Sequence, residues 1–369
     1  MGGELARQRD HKTAQQRRRE LPVRVATVPE VVAVEIDGGR LRTRDVGCGP
    51  GVHQHQNKED KIACLVSLKS ERHRQDPQPE PPPSFLEPRR VQRLVQQMQG
   101  LSGEESQEKA GQEDRPTPTP AEATPPQRPP TPRRQVRTCL ASMVDSHAFG
   151  PMVAAEAQER AFYQAVRRAF VGDGAAYNWW IQRAYFPDFE AITDFLHVLC
   201  YLYLAAWGVG ADEAQRWSFY VNWLRACWQG RVAEVIEALH GWQGRLGEPP
   251  PAEESDAKDP RRLVAEALTY LVNNQSRMDY PRYRQQGLPI TSSLVESLVG
   301  EVNARVKGKQ KYWGRGAGAE AILQLRAAVL SEDGLLDRYL SERPGSPYRR
   351  RQKQGDHAAS AKATTSQTR

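Results

Sequence analysis

The chain has 369 residues, with 52 Lys and Arg against 45 Asp and Glu, a formal charge of +7. That length accommodates roughly two domains of about 100–200 residues. Fourteen of the 27 prolines fall between positions 71 and 134, where a missing amide donor and a fixed φ exclude core sheet and long helix.

No apolar run reaches membrane-spanning length, and the charged first residues hold no signal-peptide core. Five cysteines (48, 64, 139, 200, 227) form no C-x-x-C pair and read as reduced thiols. Cys48 with His53 and His55 makes only a weak zinc pattern. The expected location is the cytoplasm, in association with the nucleoid.

In chain order, residues 1–28 form a basic N-terminal arm containing Arg17-Arg18-Arg19. The β-branched run 31–36 predicts a buried strand ending at Asp37-Gly38-Gly39; 40–44 suits its hairpin partner and 62–68 a third strand, giving an antiparallel meander over 29–70. The Pro-rich insertion 71–134 holds one short amphipathic helix, with Val91, Leu94, Val95 and Met98 at i, i+3, i+4, i+7. The core resumes over 135–204: a helix at 152–168, a strand at 169–172, a helix at 177–185, a strand at 189–193 and an apolar helix at 194–206.

Residues 205–285 read as a helical insertion. Its stripe of Trp217, Tyr220, Val221, Leu224 and Trp228 is read as core rather than as a base-stacking platform. Residues 246–260 form a linker, and helices are expected at 261–274 and 292–306. C-terminal helices occupy 286–340, and a basic tail, 341–369, is expected to be disordered. Basic ends suit a polyanionic partner or solubility alone.

Asp37 and Asp173 each follow an apolar strand and precede a glycine. Asp and Gly are common turn residues, and that reading suffices for either alone. If the two strands are neighbours, the carboxylates repel unless a cation lies between them. Hard oxygen donors suit Mg²⁺ and phosphoryl transfer. A third acid is available in the helix over 294–309, where Glu296, Gly300, Asn303 and Lys307 share one face. Such a face also suits solvent, and an acid in a first helical turn is common.

The stretches IDGG (36–39), GDGAAYNW (172–179), DFLH (194–197) and LPITSSLVESLVGEVNARVKGKQKYWG (288–314) resemble the DDE transposases of bacterial insertion sequences, over most of 29–340. The resemblance implies an α/β, RNase H-like mixed sheet flanked by helices, with an all-helical insertion before the last catalytic helix. It implies Asp37, Asp173 and Glu296 as catalytic, metal-binding acids for two Mg²⁺ or Mn²⁺ ions, with Asp194 and His197 in support. Asn303, Arg305 and Lys307 would touch DNA phosphates. The implied activity is metal-dependent cleavage and strand transfer of an insertion sequence. The partners would be element ends, target DNA and further copies in a homodimer or larger assembly.

Such enzymes usually carry a DNA-reading module ahead of the catalytic domain. Here about 30 residues precede the first strand, so the expectation includes a truncated chain or end recognition by another surface. Two rivals stand beside it: an inactive DNA-binding remnant of the same fold, and a structural or regulatory helical protein with a basic tail. Convergence of the three acids separates the last from the others.

Overall fold

The structure, a computed structural model, describes residues 1–43, 56–98, 131–251, 256, 258–292, 298, 300–302, 306, 313 and 316–342. Cys48, His53, His55, Glu296, Asn303, Arg305, Lys307 and the tail beyond 342 lie outside the described residues.

The protein is mixed α/β. Strands β1 (Val31–Thr43), β2 (Gln56–Lys69), β3 (Arg133–Ser142), β4 (Arg167–Gly172) and β5 (Glu190–Thr193) form one sheet in the order β3-β2-β1-β4-β5. β2 alone runs against the others; β1, β4 and β5 are parallel neighbours. Strand alternation divides the core in two. Val32, Val34 and Ile36 pack with Phe149, Val153 and Ile181 on one face. Val31 and Ala33 belong to the cluster on the other face, with Phe195, Leu224 and Leu271.

The first of these faces is covered by α3 (Ser146–Glu159) and α4 (Ala176–Tyr185). The second carries α5 (Phe195–Val209), α6 (Glu213–Trp228), α7 (Val232–Leu246) and α8 (Pro260–Asn274). Tyr220, Leu224 and Trp228 are buried there, in keeping with the core reading of the aromatic stripe.

Several expectations change. The 31–36 and 40–44 strands are one strand, β1, which continues through Asp37-Gly38-Gly39 paired with Ile62, Lys61 and Asp60 of β2. β3 was not foreseen as a strand. The helix expected at 152–168 is α3, which starts earlier because Asp145 caps it, accepting from Ala148 N at 2.9 Å. The chain then turns through Ala161, at φ +58°. The helical run 211–245 divides into α6 and α7 at Gly230, where φ is +77°.

Residues 1–28 carry α1 (Gly2–Arg17), which docks on the body through Arg9–Glu320 (2.8 Å) and Lys12–Glu156 (3.0 Å). The Pro-rich segment behaves as a strap. Proline removes donors but leaves carbonyls to be satisfied: Trp228 Nε1 donates to Gln78 O (2.8 Å) and Tyr220 Oη to Phe85 O (2.9 Å). Its helix, α2 (Pro88–Met98), buries Val91 and Val95, as the spacing predicts. Helix α9 (Tyr280–Gln285) anchors the strap by an ion pair from Arg284 to Asp76.

β3 is an edge strand, and side chains occupy its edge. Ser331 Oγ accepts from Cys139 N (2.9 Å), Glu332 takes Arg137 N (3.1 Å), and Gln324 of α10 (Gly316–Leu330) donates to Ala141 O. This blocks strand addition at that edge.

Candidate active site

β1 and β4 are in parallel register, with Ile36 opposite Gly172. The next residues on the two chains are Asp37 and Asp173. Alternation sets Asp37 on the face of Ala33, and Asp173 on that of Ala169 and Val171. Neighbouring strands lie about 4.8 Å apart, so the two carboxylates emerge side by side where β4 ends and β1 runs on along β2.

Local geometry fixes each acid. Asp37 Oδ1 accepts from Gly38 N at 2.7 Å. Asp173 Oδ1 accepts from Ala175 N and Asn178 Nδ2, both at 2.8 Å. Gly174 has φ +99°, and a side chain there would meet the Tyr270 ring at 2.5 Å. The Asp173–Gly174 turn therefore depends on glycine. Tyr270 Oη closes it by donating to Asp173 O at 2.9 Å.

Asp194 joins them from β5. Its N–H donates to Gly172 O at 2.9 Å, and its side chain caps α5 at Leu196 N (3.1 Å). The fully buried carboxylate also accepts from Ser292 N (3.0 Å) and Ser292 Oγ (2.6 Å) and meets His197 Nδ1 at 2.7 Å. Phe195 N donates to Ile290 O at 2.9 Å. Residues 290–292, the approach to Glu296, are thus tied to the end of β5. Of the sequence-predicted residues, Asp37, Asp173, Asp194 and His197 come together.

The electrostatics follow from this crowding. Burial pushes Asp37 up to about 6; His197 and the Gly38 N–H oppose the rise, while Asp173 and Asp194 add to it. Burial works against the His197 imidazolium, but the Asp194 hydrogen bond and the charges of Asp194, Asp173 and Asp37 push the ring up to about 9. Burial alone would raise Asp194 too, yet the bonds from His197 and Ser292 hold it below its ordinary range. At neutral pH three carboxylates face one imidazolium, an excess of negative charge that a divalent cation would offset. Hard oxygen donors suit Mg²⁺ or Mn²⁺. Among the described residues no group of three His, Cys, Asp or Glu is arranged to hold a metal.

Three nearby residues were not foreseen. Glu35 is fully buried on the Asp37 face, one pleat deeper, opposite Cys64 and Val171; an acid inside the apolar run VVAVEID was its available signal. Tyr177 Oη lies 3.6 Å from where a Gly38 side chain would begin, and Lys61 Nζ stands 5.3 Å from the Tyr177 ring. A cavity of about 610 Å³ between α1, β3 and α10 lies away from these acids.

No helix of the described residues is long and apolar enough to cross a membrane. No protein-family model matches the chain, and no curated protein matches it in sequence.

Proposed function

We propose that the chain is a metal-dependent phosphoryl-transfer enzyme acting on DNA, a DDE-type transposase of an insertion sequence with an RNase H-like core. The observation that carries this reading is the juxtaposition of Asp37, within β1, and Asp173, just past the end of the parallel neighbour β4, with Asp194–His197 beside them. The sheet supports it as well: an antiparallel β3-β2-β1 half leads into parallel β1, β4 and β5.

Asp37 and Asp173, with Glu296 as the third acid, would hold two Mg²⁺ or Mn²⁺ ions. When bound, such ions lower the pKa of water and stabilise the leaving oxygen of a phosphodiester. The remaining work falls to the protein. Gly38 N–H and the Asn178 amide orient the two carboxylates. The His197 imidazolium restrains Asp194 and moderates the charge of the trio. Ser292 holds the segment leading to Glu296 against the sheet. Asn303, Arg305 and Lys307, about two to three turns beyond Glu296 on the expected helix, would take the DNA backbone. Two element ends must be held together, so the working form would be a dimer or larger.

The test is nicking of supercoiled plasmid by the full chain in Mn²⁺ or Mg²⁺. The wild type should nick, EDTA should stop it, and Asp173→Asn should reduce the rate by roughly 10³-fold or more. Equal nicking by both proteins would overturn the reading. Absence of nicking with retained DNA binding would favour the inactive remnant.

A further inference from the structure

Helix α2 presents a cationic surface that the acid site does not use. Arg89, Arg90 and Arg93 are exposed, as are Gln92, Gln96 and Gln97, while Val91 and Val95 face the core. The helix, PRRVQRLVQQM, contains no acid. Among the described residues, exposed Arg74, Arg133 and Arg183 lack a carboxylate partner, whereas Arg262, Arg231 and Arg282 each have one, in Glu266, Glu234 and Glu190. Among the described residues, none of the three arginines of α2 has one.

The helix is also held in place. The strap before it is pinned by Trp228 and Tyr220, and Phe85 stacks on Phe195 with centroids 5.9 Å apart. At its far end Met98 Sδ lies 3.1 Å from Cys200 Sγ, one turn along α5 from His197. Arg89 and Arg93 stand about 6 Å apart along the axis. Both can therefore reach phosphates of one DNA strand, whose charge recurs about every 3.4 Å of duplex axis.

We propose that the arginine face of α2 docks the phosphate backbone of duplex DNA and leads it to the acid site. The proposal rests on the DNA-directed reading above and adds a second phosphate-contacting surface to it. Contacts of this kind position the duplex without reading its sequence.

The test is anisotropy of a fluorescent duplex of arbitrary sequence, titrated with salt in EDTA. The full chain carries Asp173→Asn throughout, so cleavage does not enter. Each phosphate contact contributes about 0.9 to the slope of log K against log salt. Replacing Arg89, Arg90 and Arg93 together by Gln, an equally good helix former, should make the slope shallower by about 2–3. Lys at all three positions should restore it, and Arg261→Gln with Arg262→Gln should leave it unchanged. If the triple Gln variant does not fold, Arg93→Gln alone should lower the slope by about 0.9. An unchanged slope in a folded variant overturns the proposal and leaves α2 to another partner, such as an acidic protein. A reduced slope in a chain that never nicks plasmid upholds this surface while the catalytic reading falls. Nicking with an unchanged slope does the reverse.

Discussion

Two clusters of buried acids differ in how their charge is met. At α1, Glu156 and Glu159 face two cations: Lys12 reaches Glu156 Oε1 at 3.0 Å and Glu159 Oε2 at 2.6 Å, and Arg24 reaches Glu159 Oε1 at 2.9 Å. Burial opposes the Lys12 charge, but the two glutamates outweigh it and raise the amine. Glu156 is raised as well, because burial exceeds its share of the single lysine. At the sheet edge, Asp37, Asp173 and Asp194 have only His197 among the described residues. A charge-matched cluster fastens a helix to a body; a cluster left anionic costs stability and attracts a cation. On the proposed reading, that difference separates a structural site from a chemical one.

Removing a charge should therefore have opposite effects at the two places. The largest loss is expected from Lys12→Met, which strands the buried Glu156 carboxylate, leaves Glu159 to Arg24 alone and should cost about 3–5 kcal/mol in urea denaturation. A loss below about 1 kcal/mol would mean that the α1 cluster is no better matched than the sheet edge.

Asp37→Asn should act in the other direction. The folded Asp37 titrates near 6, above its ordinary 3.8, so between those values the folded protein binds the extra proton and stability falls as pH rises. The cost persists above pH 6, and the Asn variant should be more stable there by about 2 kcal/mol. His197 adds a second limb. Its folded value near 9 exceeds 6.5, so its stabilisation is complete below 6.5 and is lost as pH rises towards 9. His197→Asn should flatten that limb and move the Asp37 limb to higher pH, because the imidazolium holds Asp37 down. Denaturation profiles across both windows check both statements.

The smallest effect is expected at Ser292→Ala, which removes one hydrogen bond to an ionised carboxylate and should cost about 1–2 kcal/mol. Amide exchange at Ser292 and Phe195 should quicken, since both donate across this junction. Unchanged exchange would show that the junction is held elsewhere.

Much of the core was legible because its signals are local. Apolar runs with glycine stops gave the end of β4 and singled out Asp37 and Asp173 without making their strands neighbours, and helical spacing gave α2. What escaped depends on distant partners. β3 carries Arg133, Arg134 and Arg137, which hide its alternation; Arg137 is buried only because Leu330 O (3.1 Å) and Glu301 (3.4 Å) receive it. β1 continues through Gly38-Gly39 because β2 fills the space above them: a side chain at Gly39 would stand 2.6 Å from Asp60 Oδ1. The bond from Ser292 to Asp194 spans 98 residues, and no local pattern announces it.

Binding of Mn²⁺ to the full chain, followed by the loss of the free-ion electron paramagnetic resonance signal, tests the central claim most directly. The account predicts binding by the wild type that is lost when Asp37→Asn and Asp173→Asn are combined in a protein that still folds. Equal Mn²⁺ affinity in the double variant would contradict it.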